Sequence, residues 1–226
     1  MTDTIIFVME LLGVAAFAVS GALTAIAQKM DLFGVLMLGT VTAVGGGVIR
    51  DLILGITPPA TFRDPVYAFV ALGVSLVTFL PAVRRLFFKQ KKVYDITMLI
   101  MDTLGLAVFT VAGVQAAFYH SQANNIFLLL FVGLVTGTGG GVLRDVMCAQ
   151  RPYVFVKHFY ATASLIGAGV CIALWHFVGQ TAAIVGGAAV IIVLRFLAAR
   201  FRWKLPRARD ADVPGDNQPQ DNPKIQ

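Results

Sequence analysis

The sequence is short of charge, histidine and cysteine, and each shortage excludes a class of protein. Only 13% of its 226 residues are Asp, Glu, Lys or Arg, while 58% are hydrophobic. An ordinary soluble domain carries about twice that charged share. Mean hydropathy is +0.79, so the solvent implied is a bilayer. The three histidines, His120, His158 and His176, stand near the ends of apolar runs. No His–Glu, Ser–His or Cys–His spacing recurs, which argues against an intramembrane enzyme. Cys148 and Cys171 lie in apolar runs without metal-ligand spacing and read as small apolar filler. No Lys-Ser/Thr pair follows either glycine cluster, so neither is a phosphate loop. No cofactor or metal is expected. The first apolar run has no basic leader and carries Glu10, so it reads as a retained helix and not a cleaved signal.

What is present is a series of apolar runs near 5–26, 33–56, 66–83, 96–118, 126–149, 159–178 and 181–199. Each approaches the roughly 20 residues that a helix needs to cross the hydrocarbon layer. The expected fold is an all-α membrane protein of seven transmembrane helices. Pro65 suits the first turn of the third.

The net charge of +6 does not point to nucleic acid, because its positions follow the membrane. Arg84, Arg85, Lys89, Lys91 and Lys92 form one cluster. Arg195, Arg200, Arg202, Lys204, Arg207 and Arg209 form another. Arg151 and Lys157 follow the fifth run, and the links after the fourth and sixth have no Lys or Arg. This alternation puts the N-terminus outside and the C-terminus in the cytoplasm, with the basic clusters facing anionic headgroups. The final stretch, 206–226, is polar, proline-rich and aperiodic, and is expected to be disordered.

An internal repeat organises the rest. GTVTAVGGGVIRD (Gly39 to Asp51) and GLVTGTGGGVLRD (Gly133 to Asp145) share nine of thirteen positions at an offset of 94. ELLGVAAFAVSG (Glu10 to Gly21) matches DTLGLAVFTVAG (Asp102 to Gly113) at an offset of 92. The units are 5–86 and 95–178, followed by a seventh helix at 181–203. Three crossings per unit is an odd number, so the second copy enters from the opposite side. The two are inverted about an axis in the membrane plane.

The duplicated motif carries the functional expectation. Gly45, Gly46 and Gly47, and their counterparts Gly139, Gly140 and Gly141, fall mid-span, where glycine weakens a helix by about 1 kcal/mol each. Two broken helices would offer carbonyls and amides to a solute, with Thr42 and Thr136 adding hydroxyl oxygens. The competing reading is close helix packing. Charges inside spans are rare and face a cavity or a partner. Matching depths pair Glu10 with Arg50 and Asp102 with Arg144, as ion pairs supporting a pore or merely locking each unit. Asp51 and Asp145, about 100° round their helices, would face the path and draw in cations.

The duplicated GGGxxRD motif on a three-plus-three-plus-one helix plan resembles the trimeric intracellular cation channel family. It is closest to the bacterial branch, which also carries the glycine transporter domain name. The resemblance spans roughly residues 5–200. It implies a homotrimer in the inner membrane, with a path in each protomer for potassium or sodium. Kinked helices at 33–56 and 126–149 would line that path. The basic motif by which animal members hold an inositol lipid has no counterpart located here. A small-solute transporter, for example for glycine, would use the same midplane residues, and both readings stand.

Overall fold

The computed structural model describes residues 2–120, 125–156, 159–201 and 203. The tail at 206–226 lies outside them. The chain forms α1 (Thr2–Ala27), α2 (Leu32–Ile53), the short α3 (Ala60–Arg63), α4 (Val66–Phe79), α5 (Pro81–Phe88), α6 (Lys91–His120), α7 (Ile126–Met147), the short α8 (Tyr153–Val156), α9 (Tyr160–Phe177) and α10 (Gln180–Phe201). No strand occurs among the described residues. Helices α1, α2, α6, α7, α9 and α10 are each long and apolar enough to span a bilayer, and α4 with α5, taken together as one bent span, would make a seventh.

The repeat extends to the helix caps. Asp31 accepts from Gly34 N at 2.8 Å to start α2, and Asn125 accepts from Leu128 N at 3.2 Å to start α7. The two caps are 94 residues apart and hold otherwise orphaned amides.

The third crossing departs from the expected single run over 66–83. Leu80 is extended and Pro81 opens a new helix, with a 73° bend between α4 and α5. Proline disfavours helical geometry in the residue before it and supplies no N–H to continue the ladder. The apolar count extends past residue 80, but the backbone cannot. Pro65 sits at the N-cap of α4.

Packing follows the repeat. Helices α1, α2 and α4 pack on one another, as do α6, α7 and α9. The units meet through α2 against α7 and α1 against α6. Equivalent residues meet at that seam: Phe17 and Phe109 stack with centroids 5.4 Å apart. Helix α10 breaks the symmetry by covering α9 and α6 of the second unit alone.

Candidate functional site: two charged clusters about a glycine seam

Both glycine triplets lie in uninterrupted helix. This corrects the expected breaks at Gly45–Gly47 and Gly139–Gly141: their carbonyls stay within the helical ladder. The glycines serve close approach instead. A methyl at Gly46 would sit 2.3 Å from the Thr136 carbonyl oxygen, and one at Gly140 would sit 2.1 Å from that of Thr42. The two backbones therefore touch at the midpoint of the seam, where only glycine fits. Leu143 covers Gly45, and Ile49 lies 3.4 Å from a methyl built on Gly139. Gly47 and Gly141 lie clear of the seam, next to the charged clusters.

The threonines are also turned inward. Thr42 donates to Leu38 O and Thr136 to Val132 O, each at 2.6 Å, and both are fully buried. Each hydroxyl packs beneath a glycine of the neighbouring helix, Gly21 or Gly113. They offer no oxygen to a path in this conformation, because a buried hydroxyl in a helix finds the preceding turn's carbonyl first.

At the end of the bundle away from the N-terminus, the structure brings Asp102 and Arg144 together at 2.9 Å. Arg144 is 0% exposed. Its Nε donates to Asp145 at 2.8 Å, Nη1 also reaches Ser20 Oγ, and the guanidinium lies 4.8 Å from the Tyr153 ring centroid. Tyr160 donates to Asp102 at 3.4 Å. The fourth charge is Arg195 of α10, 3.6 Å from Asp102 and 4.8 Å from the Tyr160 ring centroid. Two arginines and two aspartates thus cancel in a sealed site, as buried charges must.

The first unit builds its counterpart near the N-terminal face, but open. Arg50 Nε donates to Asp51 at 2.8 Å and is 13% exposed. Glu10 does not pair with Arg50, which corrects that expectation. Its partner is the Tyr67 hydroxyl, which donates to it at 2.6 Å. Glu10 and Arg50 nevertheless line one cavity of about 40 Å³ beside Gly47. That cavity adjoins a vestibule of about 340 Å³, lined also by Arg63, Tyr119 and His120. No seventh-helix arginine reaches this side among the described residues.

Asp51 and Asp145 turn their carboxylates to the chain's own groups, a further correction, although Asp51 also borders the vestibule. Each is 1% exposed. Beyond the adjacent arginine, Asp51 accepts from Ala60 N and Asp145 from Tyr153 N, both at 2.8 Å. These amides open α3 and α8. Each aspartate ties the loop after its span onto the helix end, which a 100° rotation from arginine does not reveal.

Five contributors are not legible in the sequence reading: Ser20, Tyr67, Tyr153, Tyr160 and Arg195. The sequence places Arg195 with the flanking basic residues, but it is buried inside the bundle. The signal for it was its place within the apolar run AVIIVLRFLAA. Tyr67 and Tyr160 give none, since their partners lie about 57 residues away.

These features, an inverted pair of helical units with charged clusters either side of a glycine seam, define a polytopic membrane protein of inverted-repeat plan. The sequence matches the family model described as glycine transporter over residues 7–82 and 99–176. It is 38% identical over 207 residues to a UPF0126 membrane protein of Deinococcus radiodurans, covering 89% of this chain and 91% of that one. It is 36% identical over 205 residues to the inner membrane protein YadS of Escherichia coli, covering 89% and 95%. Among solved structures, it resembles a TRIC cation channel at 37% identity and TM-score 0.79, covering 89% of this chain and 96% of that one. It also resembles the trimeric intracellular cation channel orthologue of Rhodobacter sphaeroides at 32% identity and TM-score 0.80, covering 88% and 100%. The chain belongs to the trimeric intracellular cation channel family, in its bacterial branch.

Proposed function

We propose that this protein is a cation channel of the inner membrane, selective for monovalent ions such as potassium, with one path in each protomer of a homotrimer. The observation that carries the reading is the whole-length likeness to solved TRIC cation channels at 32–37% identity. The path starts in the vestibule beside Glu10 and runs to Gly47. It is shut where Gly46 and Gly140 bring α2 and α7 into backbone contact. Conduction requires those two helices to part, exposing the faces that carry Gly45–Gly47 and Gly139–Gly141. The permeation reading therefore rests on a seam that opens and no longer on helices already broken.

Glu10 gives the vestibule its negative charge, and Asp51 neutralises Arg50. A guanidinium paired in this way repels a passing cation less than a free one would. The N-terminus faces outward in this reading, and Arg84 and Arg85 on α5, with Lys89 just after it, meet the anionic inner leaflet. Purified protein in planar bilayers tests the function. Unitary currents that reverse near the potassium equilibrium potential, and are unchanged by swapping chloride for a large anion, are expected. Saturable glycine uptake without potassium current would overturn the channel in favour of the transporter.

A further inference from the structure

The two charged clusters do not balance alike. In the second unit two carboxylates, Asp102 and Asp145, meet two guanidinium groups, Arg144 and Arg195. In the first, Glu10 and Asp51 have Arg50 alone. The shortfall has a definite place. Asp102 gives Oδ1 to Arg144 and Tyr160, and its Oδ2 faces Arg195 at 3.6 Å. Glu10 gives Oε2 to Tyr67, which stands to it as Tyr160 stands to Asp102, and among the described residues no bond reaches Oε1. That free oxygen is the counterpart of the one Arg195 holds. Glu10 and Tyr67 line the cavity of about 40 Å³ beside Gly47, with Val14 and Phe109 as apolar walls. The cavity has room for roughly three waters, about the size of a guanidinium head, and it adjoins the vestibule of about 340 Å³.

We infer that this cavity is a binding site for a small guanidinium compound that enters from the vestibule and supplies the cation that Arg195 supplies in the second unit. The guanidinium donates to Glu10 Oε1 and lies against the Tyr67 and Phe109 rings, as Arg195 lies 4.8 Å from the Tyr160 ring centroid. Arg50 does not bar it. Asp51 neutralises Arg50 at 2.8 Å, and Arg144 and Arg195 already share Asp102 in the same manner. A guanidinium is weakly hydrated and stacks on aromatic rings. Potassium or an alkylammonium gives up a tighter hydration shell for one carboxylate oxygen and apolar walls, so the cavity favours guanidinium over either. Arg63 also lines the vestibule, but it is exposed and its Nη2 donates to Thr57 O. The second unit keeps no such site, because Arg195 fills it.

The site does not rest on the channel reading, and one preparation separates the two. Protein in lipid nanodiscs, in constant potassium chloride, is titrated calorimetrically with methylguanidinium chloride, methylammonium chloride and urea. Methylguanidinium is expected to bind saturably, and the other two at least about ten-fold more weakly. Methylammonium has the charge without the plane, and urea has the plane without the charge. Glu10→Gln keeps an acceptor for Tyr67 but removes the charge, and is expected to lose binding by a similar factor. Gly47→Ala guards against a folding artefact. Its methyl meets only Arg50 Nη2 at 3.9 Å and favours helix, so the melting temperature should hold while the methyl occupies the cavity and binding falls. The site is overturned if wild type shows no saturable methylguanidinium binding, if methylammonium or urea matches it, or if either variant binds as wild type does. Potassium current without methylguanidinium binding removes this site and leaves the channel. Methylguanidinium binding by a protein that passes no current supports the site and removes the channel.

Discussion

At the scale of single residues, the two carboxylates Glu10 and Asp102 occupy equivalent positions yet face different surroundings. Asp102 is 1% exposed and lies among two guanidinium groups. Asp102→Asn leaves those cations without their shared counter-ion, at a cost of about 3–5 kcal/mol. Glu10→Gln, beside a cavity that adjoins the vestibule, is expected to cost much less. Thermal melting of the purified variants compares them, and equal shifts would contradict the assignment of one sealed and one open cluster. The glycines make a second residue-scale contrast. Gly46→Ala and Gly140→Ala drive a methyl into a backbone carbonyl and should each destabilise by about 1–3 kcal/mol or more. Gly73 has open space around it, so Gly73→Ala should be neutral or gain up to about 1 kcal/mol. Melting curves of the three variants check the order.

At the scale of elements, Asp51 and Asp145 act as clasps. Each holds the first amide of a four-residue helix against the end of a spanning one. Helices so short have no stability of their own. Asp51→Ala and Asp145→Ala should therefore release α3 and α8, with faster amide exchange confined to 57–63 and 150–156. Each loses a charge-assisted bond worth about 1.5–3 kcal/mol. The effect should be larger at Asp145, whose arginine is left buried with one counter-ion fewer. Hydrogen–deuterium exchange read by mass spectrometry gives the answer directly.

For the whole molecule, the seventh helix decides that two halves related by sequence are not alike. Arg195 caps the Asp102 cluster, and the Glu10 cluster opens to a vestibule. Cysteine accessibility tests this asymmetry. In a background with Cys148 and Cys171 replaced by Ala, Glu10→Cys should react with a membrane-impermeant thiol reagent at least about ten-fold faster than Asp102→Cys, since buried thiols are inert. Equal labelling rates would remove the distinction between a sealed cluster and an open one.

The sequence by itself determined the membrane setting, the helices and the two-fold plan. Apolar length and a repeat at fixed offset are local signals, and each survives whatever the helices later touch. It also singled out Arg144 with Asp102, because equal depth on adjacent antiparallel helices leaves few other partners. Tertiary structure alone decided what the glycines do, since a mid-helix triplet reads the same whether a helix bends there or another backbone presses against it. It also decided that Tyr67 takes the place beside Glu10 expected for Arg50, that Asp51 and Asp145 turn to loop amides, and that Arg195 enters the bundle. Those choices depend on which side chain reaches a buried charge first. For Tyr67 and Arg195 that is settled by distances between chain segments 57 or more residues apart, and for Asp51 and Asp145 by how the loop 9 or 8 residues on folds back, which no local pattern records.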